Sequence, residues 1–526
     1  MHRRRSLAAV LVFTMVAPVA LPAAAGPRDR HRDHGDDDGA DDRDHRAPGA
    51  GDVQIVSIEE LVAVAIRQSP TLAEVSARRR IRHAAAGNAG IIDEWQLTAT
   101  AGLDRNNAEL EPTEPYTLTR DDRLRGTVEL ERNLPTGGLV GVRVGGTRVR
   151  QNFDPRPGAM LDPVETAGTS VVAGATFRQP LVRGLGPGAA RAERHKADLD
   201  ADSGEQQAEV EAGTFVRDLV AAYWELAYAQ EELRTARESL DLANEQLAQT
   251  RAARGAGGVA ENALNAVKYQ AAVREEAVLR AQLDVEARSL DVRMLVGLDV
   301  GVDQVQIQPA DALSMEGKDL TVDEALGLGL GGDNPALVVA RAQQQMAEID
   351  VDVAQDRARP RLDLDVDGAL VGTGLAASDA FSALRSANGY EVGATLTFQL
   401  SLGRGGAAGV RAAELARSEV KVDRATLERT LTTQIITAVH QVDGARERAA
   451  LAAKAIDVAG DNLKAERALF LAGRTTNFDV LQRQAELADA QLRLARAQAD
   501  YHQSRATLQL LTGTILDEYR IPDAAR

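Results

Sequence analysis

Residues 468–484 read ALFLAGRTTNFDVLQRQ, inside a run of 161 residues, 361 to 521, that contains no proline. Proline breaks a helix interior, so so long a stretch without one leaves room for very long helices. The quoted segment predicts a helix, a Gly-Arg-Thr-Thr bend, and a second helix opening near Asp479. Upstream of the bend, Ile435, Ala438, Val442, Ala445, Ala449, Ala452, Ile456, Ala459 and Leu463 alternate at spacings of three and four. That is a heptad seam, and its alternating Ala lets neighbouring helices approach closely.

The same seam occurs 216 residues earlier, as Leu219, Ala222, Leu226, Ala229, Leu233, Ala236, Leu240, Ala243 and Leu247. The chain is a duplication, and other segments repeat as well. SIEELVAVAIRQSPTL (57–72) matches TVDEALGLGLGGDNPAL (321–337), placing Glu59 on Glu324 and Pro70 on Pro335. Trp95-Gln96-Leu97 falls on Pro360-Arg361-Leu362, and FRQPLVRG (177–184) parallels FQLSLGRG (398–405). Helices are expected over 57–92, 188–254 and 260–296, and again over 322–358, 406–472 and 477–512. At about 1.5 Å per residue the two longest would each reach roughly 100 Å. No compact domain needs that length.

Between the helices the period changes to two. LDLDVDGAL (362–370) sends Leu362, Leu364 and Val366 one way and Asp363, Asp365 and Asp367 the other. EVGATLTFQL (391–400), WQLTATAGL (95–103) and SVVAGATF (170–177) alternate likewise. RLRGTVELERNL and VGVRVGGTRVR flank a tight PTGG turn at 135–138, which makes four strands in the first half and two in the second. Six strands per chain are therefore expected, the alternative being that the extra hairpin folds elsewhere. The connections at 107–122 and 152–168 are long, as on the outer side of a membrane barrel, and the PTGG turn is short.

Composition narrows the class. Aromatic residues are only 3% of the chain, while the abundant Ala, Leu, Gln, Glu and Arg are those of long helices. A net charge of −17 with no basic patch argues against nucleic acid. The first residues, MHRRRSLAAVLVFTMVAPVALPAAAG, have the form of a secretory signal ending in an A-x-A site, and no cysteine is present for lipid attachment or disulfides. No later run has the roughly 20 apolar residues of a spanning helix, so a membrane crossing would require a β-barrel. Residues 27–50, rich in Asp, His and Arg, read as a disordered leader rather than a cation site built on His31, His34 and His45. An enzyme is not indicated. GLGLGG (327–332) satisfies a dinucleotide pattern but falls within an expected helix and follows no strand. His83, His195, His440 and His502 lack metal-ligand spacing, and no cofactor is expected.

Taken in order, EELVAVAIRQSPTL and its copy, FRQPLVRGLG, AAYWELAYAQEEL, the LVG ending at Gly297, and GRTTNFDVL resemble the TolC-type outer membrane efflux protein family over nearly the whole mature chain. The resemblance implies an α+β membrane protein with a duplicated helix–strand–helix repeat. Three copies would form a trimeric transmembrane β-barrel continuous with a long periplasmic α-helical coiled-coil tunnel. It further implies a bacterial outer membrane location, contact with lipid, and partnership with a periplasmic adaptor and an inner-membrane pump, proton-driven or ATP-driven. The expected organisation is a signal peptide (1–25), leader (26–52), first repeat (53–300, strands at about 95–178), linker (301–320), second repeat (321–520, strands at about 361–400) and tail (521–526). A soluble coiled-coil adaptor or scaffold is the rival, and the duplicated barrel-like strands weigh against it.

The resemblance places the helix turns at the tunnel entrance. Asp479 matches the family's ring of acidic residues there, and Gln482 stands where a second carboxylate is common, implying a less cation-selective mouth. The same Asp479 is also what a helix start wants for its own cap. Gly257, Gly258, Gly473, Arg474, Thr475 and Thr476 are the candidate adaptor-contacting tips, although turn chemistry alone would also select them. Glu261 is a weaker candidate for a second ring, and Asp363, Asp365, Asp367, Glu129 and Glu131 read as a wet barrel face.

Overall fold

The computed structural model describes residues 53–521 apart from 108–111, 114, 256–260, 299–305, 316 and 318. The expected signal peptide, leader and tail beyond 521, with part of the linker, lie outside the described residues. In the first repeat the chain forms β1 (Val53–Val56), α1 (Ile58–Gln68), α2 (Pro70–Ala89), a 3-10 turn (Gly90–Asp93), β2 (Gln96–Asn106), β3 (Pro112–Thr113), β4 (Tyr116–Asn133), β5 (Leu139–Pro155), β6 (Val164–Pro180), α3 (Pro187–Ala190), α4 (Ala192–Gly255) and α5 (Glu261–Val296). The second repeat forms β7 (Gln306–Pro309), α6 (Val322–Gly329), α7 (Pro335–Ala358), β8 (Arg361–Gly374), α8 (Ala377–Arg385), β9 (Tyr390–Gln399), α9 (Gly405–Leu471), α10 (Asn477–Thr512) and α11 (Ile515–Glu518).

The duplication holds for α1 and α6, α2 and α7, α4 and α9, and α5 and α10, with corrections at its start. The helices expected over 57–92 and 322–358 are each broken in two, because Pro70 and Pro335 take the first position of a new helix and cannot continue the old one. The GLGLGG run consequently leaves the helix at Gly329 rather than lying within it. Identical capping boxes open α1 and α6: Ser57 pairs with Glu60, and Thr321 with Glu324. Glu60, not Glu59, is thus the partner of Glu324, and the second copy carries one extra residue before its proline.

All six long strands join one antiparallel sheet in the order β2-β4-β5-β6-β8-β9, with β3 paired to β4. The extra β4–β5 hairpin lies in the middle of that sheet. Its insertion explains why the repeat offset shrinks from 265 residues at Trp95 to 221 at Phe177. The connections are shorter than expected, because β4, β5 and β6 run on through the segments assigned to loops. Charge hid those strand ends: Arg105 pairs with Asp122 (2.9 Å), Arg150 with Glu165 (3.1 Å) and Arg125 with Asp104. Across the sheet, one face carries rows such as Leu97–Leu130–Val142–Ala175–Gly368–Val392. The other carries Glu129 opposite Arg143, and Arg178 opposite Asp365, with which it forms an ion pair.

The helices carry the buried core. In α9 eight of the nine seam residues are buried and Ile456 is half-buried. In α4 Leu219, Leu226, Ala229, Ala243 and Leu247 are buried, with the intervening four half-buried. The largest cluster gathers α1, α4, α5 and α10 around Tyr223, which is wholly buried. Its hydroxyl donates to Asp311 Oδ2 (2.6 Å) and accepts from the Asp311 N–H (3.2 Å). That carboxylate also accepts from the N–H of Ile58 (2.9 Å), tying the linker to the start of the first repeat. There β1 and β7 form a parallel pair that sequence periodicity did not reveal.

Gly297 closes α5 in a left-handed conformation (φ +83°), and a Cβ there would lie 2.4 Å from the Gln68 carbonyl oxygen. Backbone strain and overlap act together at this site. Gly297→Ala is expected to destabilise the fold by at least about 2 kcal/mol, seen as a lowered Tm in thermal unfolding.

Candidate functional site

The bend between α9 and α10 is built almost entirely from local chemistry. Gly473 adopts φ +69°; its N–H bonds the Phe470 carbonyl (2.9 Å), and the N–H of Arg474 bonds that of Leu469 (2.9 Å). This pair of bonds satisfies the last carbonyls of α9 and requires a residue without a Cβ at the left-handed position. Thr476 then caps α10. Its hydroxyl accepts from the N–H of Asp479 (3.4 Å), while Asp479 Oδ2 accepts from the Thr476 N–H (3.0 Å) and from the Thr475 hydroxyl (2.9 Å). The Thr476 hydroxyl also donates to Asp479 Oδ2 (2.5 Å), and this bond, ahead of those from the Thr476 N–H and the Thr475 hydroxyl, holds the Asp479 carboxyl below its ordinary range.

Asp479 is half-buried and ionised, and its carboxylate secures the turn. Gln482 is exposed and donates to Glu486 Oε1 (3.3 Å). Glu486 in turn pairs with Arg483 (2.7 Å), whose guanidinium also lies 4.0 Å from Glu466. The tip therefore gathers three carboxylates, Asp479, Glu466 and Glu486, around one guanidinium. Sequence reasoning found only the first. Glu466 is on α9 a little over one turn before its end, and its carboxylate competes with that of Asp479 for the single proton of the Thr475 hydroxyl. Arg474 is exposed, as are two apolar side chains the sequence reading passed over, Leu471 (82%) and Phe478 (69%). Both fall off the seam, so the heptad pattern did not mark them.

Gly257 and Gly258 lie outside the described residues. Glu261 is the exposed first residue of α5, with Arg254 at 3.7 Å. The two hairpins meet at the tip, where the Asn477 amide lies 3.4 Å from the Thr250 hydroxyl. On the polar face of the sheet Asp363 is buried and pairs with Arg361 (2.5 Å).

Among the described residues no group of three His, Asp or Glu is close enough to hold a metal ion. His502 is instead packed flat on Trp224, ring centroids 3.7 Å apart, with Nε2 donating to the Ser314 carbonyl (2.7 Å). Burial depresses it to about 4, so it is neutral in the fold.

Residues 331–514 match the family model of the outer membrane efflux protein. The fold is similar to that of the Campylobacter jejuni CmeC outer membrane channel, at 14% identity and TM-score 0.66, covering 87% of this chain and 86% of that one. It is also similar to the outer membrane protein VceC of Vibrio cholerae (16% identity, TM-score 0.63, 87% and 96% covered). A third likeness is to the open state of the Neisseria gonorrhoeae MtrE outer membrane channel (14%, TM-score 0.62, 87% and 89%). No curated protein sequence matches the chain. The resemblance to outer membrane efflux proteins read from the motifs is thus shown, by the family match in the second repeat and by the fold over most of the chain.

Two outcomes follow from the tip and from His502. Thr476→Ala is expected to cost about 1 kcal/mol of local helix stability, read as faster amide exchange in the first turn of α10. For His502 the unfolded chain takes up its proton near 6.5 and the folded chain only near 4. Stability should therefore decline as pH falls from about 6.5 to about 4, and His502→Phe should flatten that slope in denaturant titrations.

Proposed function

We propose that this chain, similar to outer membrane efflux proteins, is one subunit of a homotrimeric export duct, giving passive exit to substrates handed on by an inner-membrane pump through a periplasmic adaptor. The observation that carries the reading is the sheet with two open ends. Among the described residues β2 and β9, 11 and 10 residues long, each have one neighbour only, and both are exposed along nearly their whole length. Neither contains Lys or Pro, the usual guards of an edge strand. In hydrocarbon such edges must pair, and copies joined β9 to β2 in a ring satisfy them. Three copies of six strands give an eighteen-stranded barrel, wide enough for an aqueous lumen. The apolar rows then face lipid, and the rows with Glu129, Arg143 and Asp365 line the water-filled interior.

The helices hang from this barrel into the periplasm, α4 and α9 reaching about 96 and 100 Å at the usual helical rise. The α9–α10 bend lies at the far end and forms the entrance with the α4–α5 bend. Three Asp479 carboxylates around the axis repel one another and draw cations, joined by Glu466 and Glu486. Arg474, Thr475, Thr476, Leu471 and Phe478 are the surface offered to the adaptor, with Gly257 and Gly258 its counterparts on the first hairpin.

A single cysteine at Thr475 tests the placement of the tip in a chain that has none of its own. Crosslinking in intact cells should capture a periplasmic adaptor; a Thr475→Cys site that reacts only within its own chain would overturn the assignment. Asp479→Asn keeps an acceptor for the cap but removes the charge. It should lower cation-over-anion permeability in planar bilayers by roughly two- to tenfold at low salt, the effect fading as salt rises.

A further inference from the structure

The β8–β9 connection contains an element that belongs to no repeat. Helix α8, nine residues long, lies at the end of the sheet away from the long helices and packs back on β8 and β6. It sits on the apolar face, the one holding Leu364, Val366 and Leu370. Gly372 and Gly374 share that face, and their missing side chains let the helix come close: a Cβ on Gly372 would lie 2.0 Å from the Ala380 carbonyl oxygen. The row there is Ala101–Gly126–Gly146–Val171–Gly372, three of five positions glycine, so the sheet itself offers almost nothing to its surroundings at this level.

The helix supplies what the row lacks. Ala380 is fully buried against the sheet, with Ala383 and Leu384 half-buried beside it. The opposite side shows Ser378, Phe381 and Arg385, one and two turns apart, and Phe381 is 55% exposed. Leu375, just before the helix, is 77% exposed, and Tyr390, just after it on the same face of β9, is 73% exposed. A chain with only eight phenylalanines has placed one on the outer side of a short surface helix. At the opposite margin of the apolar face stand Trp95, Phe177 and Phe398, also exposed. Phe398 and Tyr390 are eight residues apart on β9, about 27 Å along the strand and about 21 Å along the normal at a tilt near 40°. Two aromatic margins at that separation match the apolar band of a membrane barrel.

We infer that α8 is a lipid-interface helix: it lies in the outer boundary of the bilayer with Phe381 and Leu375 in the acyl region and Arg385 at the level of the headgroups. The inference rests on the barrel reading above and adds a lipid-binding element to it. A mix of Ser, Phe and Arg on one side suits an interface, where an aromatic body is buried and a cation stays wet. A second copy is the less suitable occupant, since α8 lies over β8 and β6 and not over β9, the edge that would meet the next copy.

The test places single cysteines at Phe381 and Val142, labels them with an environment-sensitive nitrobenzoxadiazole dye, and reconstitutes the oligomer in phosphatidylcholine vesicles. Val142 lies in the middle of the apolar rows and reports the barrel alone. The Phe381→Cys label should show blue-shifted emission, lose intensity when the lipid is brominated near its headgroup, lose less when it is brominated deep, and resist iodide. The Val142→Cys label should lose most with deep bromines. If Val142 is quenched by lipid while Phe381 responds only to iodide, α8 stands in water and the inference falls with the barrel intact. If Phe381 resists both quenchers while Val142 does not, a protein surface covers α8, which equally overturns it. If Val142 is untouched by brominated lipid, the barrel reading itself fails and takes the inference with it.

Discussion

A β-sheet with open edges cannot rest in hydrocarbon, and much of this chain is arranged around that fact. Each unpaired N–H or C=O in a lipid interior costs several kcal/mol, far more than side-chain packing returns per residue. β2 and β9 carry such rows, and neither is shortened, twisted aside by a bulge or guarded by charge along its central residues. Among the described residues the sheet's one irregularity falls between Leu118 and Arg120 of β4, away from both edges. Edges left this bare and this similar in length are built for one another. In the proposed ring, oligomerisation follows from the strands before any helix contact is considered.

The helices have to leave the sheet in a fixed direction, and the junction is where charge is concentrated. Asp93, at the end of the 3-10 turn before β2, pairs with Arg191 (2.8 Å) and with Arg194 at the start of α4. Asp356, near the end of α7, accepts from the N–H of Gly184 (2.8 Å) in the β6–α3 connection. The short β4–β5 turn reaches the same place, the Gly186 N–H bonding the Thr136 carbonyl (2.9 Å). Isolated surface pairs contribute little, but several converging on one joint fix an angle. From there the Ala-rich seams keep the helices close and nearly parallel over their length.

How much of this could be read from residues alone depended on how many residues repeated the same message. The seam of α9 spans nine positions, and α10 begins and ends where the sequence places it, at 477 and 512. β8 was legible because Leu362, Leu364 and Val366 oppose three aspartates. The outer parts of β4, β5 and β6 were not, since Arg and Asp alternating across strands look like solvated loop until their partners are known. β1 and β7 are four residues each and pair across some 250 positions, beyond the reach of any local pattern. At the tip, Gly473, Thr476 and Asp479 were visible because a turn and a cap have fixed chemistry. Glu466, Leu471 and Phe478 were not, because a heptad names the residues that face inward and says nothing of those that face out.

The inserted hairpin makes the two repeats unequal in strands while leaving them equal in long helices. With two strands in each repeat, three copies would close a twelve-stranded ring; with four in the first, they close eighteen. Barrel diameter grows roughly in proportion to strand number, so the proposed barrel is about half as wide again, whereas the helical wall gains nothing. The duct must then narrow on passing from sheet to helix, and its tightest part moves toward the entrance. Charges on the wide polar face, Glu129, Glu131 and Asp367 among them, act across a broad column of screened water. In the proposed trimer the Asp479 carboxylate, fixed by two threonines, would stand near the threefold axis and act at close range. On the proposed reading, selectivity in such a duct would belong to the tip, and the extra strands would widen the exit without loosening control of what enters.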